Sequence, residues 1–426
     1  MHYGDTIHRA SISSNPRATR GAGLHAGGDR PKITSSDDDS DRTRHLKVLV
    51  WQWGRFGAGP LYALELTRAF SAQADVEALL SLSRGAELLQ NGAVTDCALP
   101  VRTYSSLAGF AGRVASAPVA IPWLARRLRR LGIDIAICAM PAAMDFTMAA
   151  ALKLAGIPYA IVVHEAEPHP GDRFPSQIML QRLLARGAVA TFALSSFVAE
   201  RLREQDRAGT RLLLRTSLPP FYQDTTAAPA SRDGTLRLLS FGRLLSYKGL
   251  DLLTESLVLL GRRQDLAVRI VGLGPESAEL DRLRALPGVT VENGWVPERD
   301  VGSVLGWADA LILPYREASQ SGVAAAAIAA NRWIISTRVG GLPEQLANYP
   351  RAIMCDPTAT DLADAIRTLL ERGDLPAPLV DKPASSWATV AADMLDDLRR
   401  SLAGAATSPP ATAARLGSTP IYHRDR

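Results

Sequence analysis

Arg243 and Lys248 stand five residues apart, directly after an apolar run, Leu236–Phe241. Such a run reads as a buried parallel strand, and ligands bind in the crevice outside the carboxyl ends of such strands. A guanidinium grips phosphate as a fork and an ammonium meets it as a point charge, so the pair suits a diphosphate. Two solvated surface cations are the plain alternative for this segment alone. A second anion site is legible in Leu313–Val323, where Ser321 is a natural N-cap and Gly322 and Val323 open an alanine-rich helix, Val323–Ala330. The first N–H groups of a helix lack intrahelical partners and carry partial positive charge, which favours phosphate. Between these segments lie two glycine turns, Gly272-Leu273-Gly274 and Gly294-Trp295-Val296, each after an apolar run. Glycine lets a ribose or base approach the backbone closely, although an ordinary tight turn explains either one equally well.

Another polar cluster follows Tyr159–Val163: His164, Glu165, Glu167, His169 and Asp172. These are metal-ligand types, but Pro168 and Pro170 deny them a helical face and no second cluster supports them. The expectation is a loop bordering a catalytic cleft, with no metal bound. Gly54-Arg55-Phe56-Gly57-Ala58-Gly59 hints at a dinucleotide fingerprint, which would require a small residue where Tyr62 stands. Neither NAD nor any other cofactor is expected. This turn, with Gly57 and Gly59, reads instead as a tight loop after the first strand.

These residues need elements to hold them. The chain has 426 residues and a formal charge of +5. That length accommodates two domains. Strand-like runs at Leu46–Trp51, Ile133–Cys138, Tyr159–Val163 and Val189–Leu194 alternate with helical stretches such as Leu61–Phe70 and Ala142–Leu154. Continuous apolar strands separated by helices mean a parallel sheet covered on both faces. The rhythm breaks over Arg215–Gly234, a Pro-, Thr- and Asp-rich linker, and restarts at Leu236–Phe241, Val268–Val271, Val289–Val291, Ala310–Leu313 and Trp333–Ser336. The expected organisation is a disordered lead (1–44), an N-terminal Rossmann-like domain (45–215), a linker (216–234), a C-terminal Rossmann-like domain (235–402) and a disordered tail (403–426). Cys97, Cys138 and Cys355 are far apart and read as small buried hydrophobes.

Residues 236–346 resemble the C-terminal domain of family 4 glycosyltransferases of the GT-B fold. The resemblance rests on Gly242-Arg243-Leu244 with Lys248-Gly249, Val271-Gly272-x-Gly274, Gly294-x-Val296, Ala308-Asp309 with Pro314, and Gly340-Gly341-x-x-Glu344. A weaker likeness over 46–202 includes the Gly57/Gly59 turn, His164 and Ser195-Ser196, and the resemblance as a whole implies an acceptor domain over 45–215, with Gly57 and Gly59 on an acceptor-side loop, and a donor-binding domain over 235–402. It implies two Rossmann-like α/β domains facing a cleft and a retaining, metal-independent transfer from a nucleotide-sugar to a glycan or polyprenyl-linked acceptor in envelope polysaccharide synthesis. Arg243 and Lys248 match the family's diphosphate-binding pair, Ser321–Val323 its phosphate-cradling helix start, and Gly272, Gly274 and Val296 its nucleotide seat. His164 matches the histidine near the donor sugar, where it would position the sugar or stabilise developing charge. One departure stands out. The family's two glutamates, eight positions apart, fall here on Ala318 and Ala326, with Glu317 one residue out of register as a donor-binding candidate. Gln320-Ser321-Gly322 reads as a motif variant. The alternative function is a degenerate GT-B chain acting as a non-catalytic subunit or scaffold.

The remaining expectations concern location. No run of 18 apolar residues is present, so no spanning helix is expected. Trp123–Leu131 is basic and amphipathic, with Leu124, Leu128 and Leu131 on one face, and is a candidate for peripheral contact with the inner, cytoplasmic face of a membrane. An ordinary solvated helix is the competing reading. No nucleic-acid module accompanies the basic charge.

Overall fold

A computed structural model describes residues 45–167, 175–205, 212–219, 234–372 and 386–407. The expected lead, most of the linker and most of the tail lie outside the described residues. The first half runs β1 (Leu46–Gln52), α1 (Ala58–Ser71), β2 (Val76–Leu82), α2 (Glu87–Gln90), α3 (Leu107–Leu131), β3 (Ile135–Ala139), α4 (Asp145–Ala155), β4 (Tyr159–Val163), α5 (Pro175–Gly187), β5 (Ala190–Ala193), α6 (Ser196–Gln205) and β6 (Leu213–Arg215). The second runs β7 (Leu236–Phe241), a 3-10 turn (Ser246–Lys248), α7 (Leu250–Leu260), β8 (Leu266–Gly272), α8 (Ala278–Arg284), β9 (Val289–Asn293), α9 (Glu298–Trp307), β10 (Ala310–Leu313), α10 (Gly322–Ala329), β11 (Trp333–Thr337), α11 (Leu342–Leu346), β12 (Ala352–Cys355), α12 (Ala359–Glu371) and α13 (Trp387–Thr407).

Each half holds one six-stranded parallel sheet, in the orders β2-β1-β3-β4-β5-β6 and β12-β11-β10-β7-β8-β9. The two-domain Rossmann-like architecture is thus the one the alternation implied. Central strands are buried end to end, as in Ile135–Ala139, Tyr159–Val163 and Ala310–Leu313, because helices cover both sheet faces. Strand order reverses between β1 and β3 in the first sheet and between β7 and β10 in the second. The crevice at such a reversal is where doubly wound sheets bind ligands.

Three expectations need correction. Residues 387–402, which the expected boundaries place in the second domain, belong to α13, whose Val390, Met394, Leu395 and Leu398 join the first half's core with Phe70 and Val76. Trp387 meets Tyr62 edge-to-face at 5.2 Å, and Arg399 pairs with Asp75. The helix also runs to Thr407, past the expected start of the tail. An amphipathic period shows that a helix packs, but not on which core.

α3 is the second correction. It is one 25-residue helix, begun by a Ser106 cap and closed by left-handed Gly132, and it is long and apolar enough by length and composition to cross a membrane. The third concerns its leucines. Leu124 and Leu128 are 3% and 0% exposed, and Leu131 is partly buried against the same core beside α4, so they do not form an outer face. The apolar side chains left exposed on α3 are instead Leu107, Val114, Val119 and Trp123.

Candidate active site

The loop after β7 and the loop after β10 meet at the reversal in the second sheet. Leu244 and Leu250 anchor the first loop in the core, leaving Arg243 exposed and Lys248 half-buried between them. Lys248 Nζ lies 3.7 Å from the ring centroid of Tyr315, and 5.1 Å from that of Tyr247, so two buried aromatic faces cradle the ammonium. Arg243 Nη2 donates to the Tyr247 hydroxyl at 2.8 Å. Tyr315 is fixed at both ends: its carbonyl accepts from Thr337 Oγ1 at 2.6 Å and its hydroxyl lies 3.4 Å from Ser321 Oγ. Burial pushes the Tyr315 hydroxyl up to about 12 and raises that of Tyr247, so both stay neutral walls. Burial also lowers the Lys248 ammonium to about 8, an effect partly offset by Tyr247 and by Glu165.

Ser321 caps α10 as expected, its Oγ accepting from Ala324 N at 3.1 Å. Gln345 holds the Ser321 peptide on both sides, accepting from its N–H and donating to its carbonyl, each at 3.0 Å. Among the described residues the cap does not use the N–H groups of Gly322 and Val323, which are the orphan donors of this helix start. Glu317 is half-buried one residue before Ala318. Ala318 and Ala326 are each 2% exposed, inside the core cluster with Leu313 and Ile334.

At Gly272 and Gly274 the protein's own backbone fills the space a side chain would take, whereas a Cβ on Gly294 would meet nothing. A Cβ on Gly272, at φ +151, would collide with the Gly242 carbonyl, and one on Gly274 with the Leu244 carbonyl. Their absence lets the loop after β8 pack on the loop after β7, so the turn shapes the crevice through the protein's own backbone. Gly340, at φ +53, likewise packs on the Ala318 carbonyl. Asp309, singled out as a family position, accepts from Arg237 N at 2.9 Å and ties β10 to β7.

The first half closes the crevice. Val296 is half-buried, and the exposed Trp295 beside it meets Phe56 of the Gly57–Gly59 turn edge-to-face at 5.8 Å. Gly57 adopts φ +82 ahead of α1, in open space, and Gly59 packs on the Gln52 amide. Gln320 donates to the Leu194 carbonyl, and Ser195 Oγ donates to the Ser319 carbonyl at 3.2 Å. Glu344 accepts from Ser196 N at 2.7 Å and lies 3.5 Å from Arg215. His164 follows β4 with Nε2 3.7 Å from a Glu165 oxygen, and its Nδ1 is buried with no partner among the described residues. His169 and Asp172, the rest of the candidate metal cluster, lie outside the described residues. No group of three or more metal-ligand side chains occurs among those described. Sequence reasoning missed the two aromatic walls, Tyr247 and Tyr315, and the Phe56–Trp295 contact. The aromatic positions beside Lys248 and Pro314 were the available signal.

Two facing Rossmann-like halves, with cations and a capped helix start at one strand-order reversal, define the GT-B class. Comparison with known proteins agrees. The family of glycosyl transferases group 1 matches residues 235–372, and the glycosyl transferase 4-like domain matches 57–214. The D-inositol 3-phosphate glycosyltransferase of Arthrobacter sp. (strain FB24) is 26% identical over 226 residues, 49% of this chain and 54% of that protein. The chain thus spans about half the length of that curated relative. A glycosyltransferase from Rickettsia africae superposes with TM-score 0.59 at 16% identity, covering 84% of this chain and 93% of that one. Anabaena HepE, solved with UDP and glucose, superposes with TM-score 0.56 at 14% identity over 86% of this chain and 100% of that one. The chain belongs to the family 4-like, group 1 glycosyltransferases of the GT-B fold, and is by family a transferase.

Proposed function

We propose that the chain is a retaining glycosyltransferase that moves a sugar from a nucleotide-sugar to a glycan or polyprenyl-linked acceptor in polysaccharide or envelope assembly. The observation that carries this reading is the Lys248 ammonium held over Tyr315, with Arg243 beside it and the α10 N-terminus on the same reversal. Arg243 and Lys248 take the diphosphate, and the N–H groups of Gly322 and Val323 the phosphate nearer the sugar. The Gly272–Gly274 and Val296 turns border the nucleoside, and Glu317 stands beside the donor. His164 orients the sugar from across the cleft, and the acceptor enters past Gly57 and Gly59. Fixed cations and helix dipoles meet the charge of the leaving diphosphate, so no metal or cofactor is needed. HepE's complex with UDP and glucose supports a donor of this class.

The same reading places the protein at the cytoplasmic face of a membrane. With Leu124 and Leu128 buried, the contact is the outer side of α3, where Leu107, Val119 and Trp123 precede exposed Arg126, Arg127, Arg129 and Arg130. Each basic residue near an anionic surface contributes about 1 kcal/mol. Co-sedimentation with anionic liposomes is expected to fall when the four arginines become Gln. Equal recovery in the supernatant for both proteins removes the membrane contact.

The test of function is a thermal-shift screen against UDP-, GDP-, ADP- and dTDP-glucose. A donor at 100 times its Kd stabilises the fold by about 2.7 kcal/mol. One nucleobase should stand out. No shift with any of the four refutes the reading.

A further inference from the structure

The second half presents no carboxylate at the positions where the resemblance expects two. Ala318 and Ala326 are sealed in the core, and the Gly340–Gly341 turn packs over the Ala318 carbonyl. Glycosyl transfer nevertheless develops positive charge on the sugar ring, and a sugar's hydroxyls need acceptors.

The first half sets a carboxylate beside His164, at the edge of the crevice. Glu165 follows His164 at the carboxyl end of β4. Its carbonyl accepts from the buried Gln181 amide at 2.8 Å, which fixes the turn of the loop. The loop is also registered against the donor half: Leu194 N donates to the Val163 carbonyl at 3.2 Å, and Gln320 donates to the Leu194 carbonyl just before the cap of α10. The Glu165 side chain is 22% exposed and stands 3.7 Å from His164 Nε2. Its charge is felt at Lys248 and at Tyr247. A carboxylate there repels a diphosphate, so a site that only gripped nucleotide would be better without it.

We propose that Glu165 is a donor-sugar carboxylate, supplied by the first half in place of the pair missing at 318 and 326. It accepts hydrogen bonds from sugar hydroxyls and faces the anomeric carbon as positive charge develops there. No bond to Glu165 forms. The sugar leaves the diphosphate oxygen and joins the acceptor oxygen, and the acceptor proton passes to the departing diphosphate. This inference rests on the nucleotide-sugar reading above.

The test uses the full chain and two measurements on the isosteric Glu165→Gln variant. The first is binding of UDP, GDP, ADP and dTDP. The second is consumption of the matching glucose donors, with kcat and KM separated. Nucleoside diphosphate affinity should be unchanged or a few-fold tighter, because a repelling charge is gone, while kcat falls tenfold or more. Glu165→Asp, which keeps the charge, should recover part of the loss and serves also where the Gln variant fails to fold. Turnover within twofold of wild type overturns the inference. So does a loss of diphosphate affinity in step with turnover, because that makes Glu165 a support for the cations. A wild type that binds none of the four nucleotides overturns the underlying reading instead, an outcome visible before any variant is made.

Discussion

Replacing Lys248 with Met should move stability and binding in opposite directions. Burial against Tyr247 and Tyr315 lowers the ammonium from 10.5 to about 8. Keeping that charge desolvated at neutral pH costs on the order of 1–2 kcal/mol of stability. The sign follows from linkage. A lysine with a depressed folded pKa costs stability below that pKa, and the cost disappears as pH rises from 8 towards 10.5. Methionine keeps the stem, packs its sulfur on both rings and carries no charge. Unliganded Lys248→Met should therefore melt a few degrees above wild type at pH 7. The same change removes a charge-assisted contact to the diphosphate worth about 1.5–3 kcal/mol, so nucleotide-sugar affinity should fall about 10- to 150-fold. Wild-type affinity should also weaken as pH rises above 8, where the free ammonium deprotonates, and the Met variant should lack that dependence. Scanning fluorimetry gives the stability and calorimetry the binding, both between pH 6.5 and 9.5. A variant that melts below wild type, or binds the donor within twofold of it, refutes the placement of the cation and the diphosphate together.

His164→Ala should lower turnover while leaving nucleoside diphosphate affinity nearly intact, because the residue faces the sugar; full activity would return it to a plain polar loop. Turnover should survive EDTA, and complete loss restored by one divalent ion would count against charge balance by Arg243, Lys248 and the start of α10. Asp145 supplies a prediction far from that pair. Burial raises its carboxyl to about 7, opposed by the Ala142 N–H at 2.7 Å and the Cys138 thiol at 3.2 Å. A raised carboxyl pKa loses stability progressively as pH climbs from about 4 to 7, on the order of 4 kcal/mol in all, of which roughly a third falls between pH 6 and 8. The unliganded protein should melt lower at pH 8 than at pH 6, and Asp145→Asn should remove most of the difference; an unchanged pH profile in the variant would mean the group does not titrate there.

The strands were legible because a parallel sheet covered on both faces demands unbroken apolar runs. Tyr159–Val163, Leu236–Phe241 and Ala310–Leu313 were expected with the limits observed. Arg243, Lys248 and the Ser321 cap were legible because their places at strand and helix ends decide their chemistry. What escaped depends on long-range packing. Nothing local in α13 says that Leu395 and Leu398 cross to the first half's core. The burial of Leu124 and Leu128 is set by β3 and α4, so the basic face of α3 could be read while its apolar face was read inside out. Gly272 looked like a ligand seat, and only the approach of Gly242 shows that the backbone itself needs the space. Glu165 sat in a polar cluster read as a cleft-bordering loop, and sequence spacing cannot show which residues of the second half come near it.

The proposed reaction is transfer of sugar from a nucleotide donor with retention. Proton NMR of the reaction, recorded as product first appears, tests it directly. The chain should consume one α-linked nucleotide-sugar and deliver the sugar with the α configuration before any mutarotation, in the presence of EDTA. Appearance of the β anomer first would contradict retention, and no consumption of any donor by a folded protein would contradict the account as a whole.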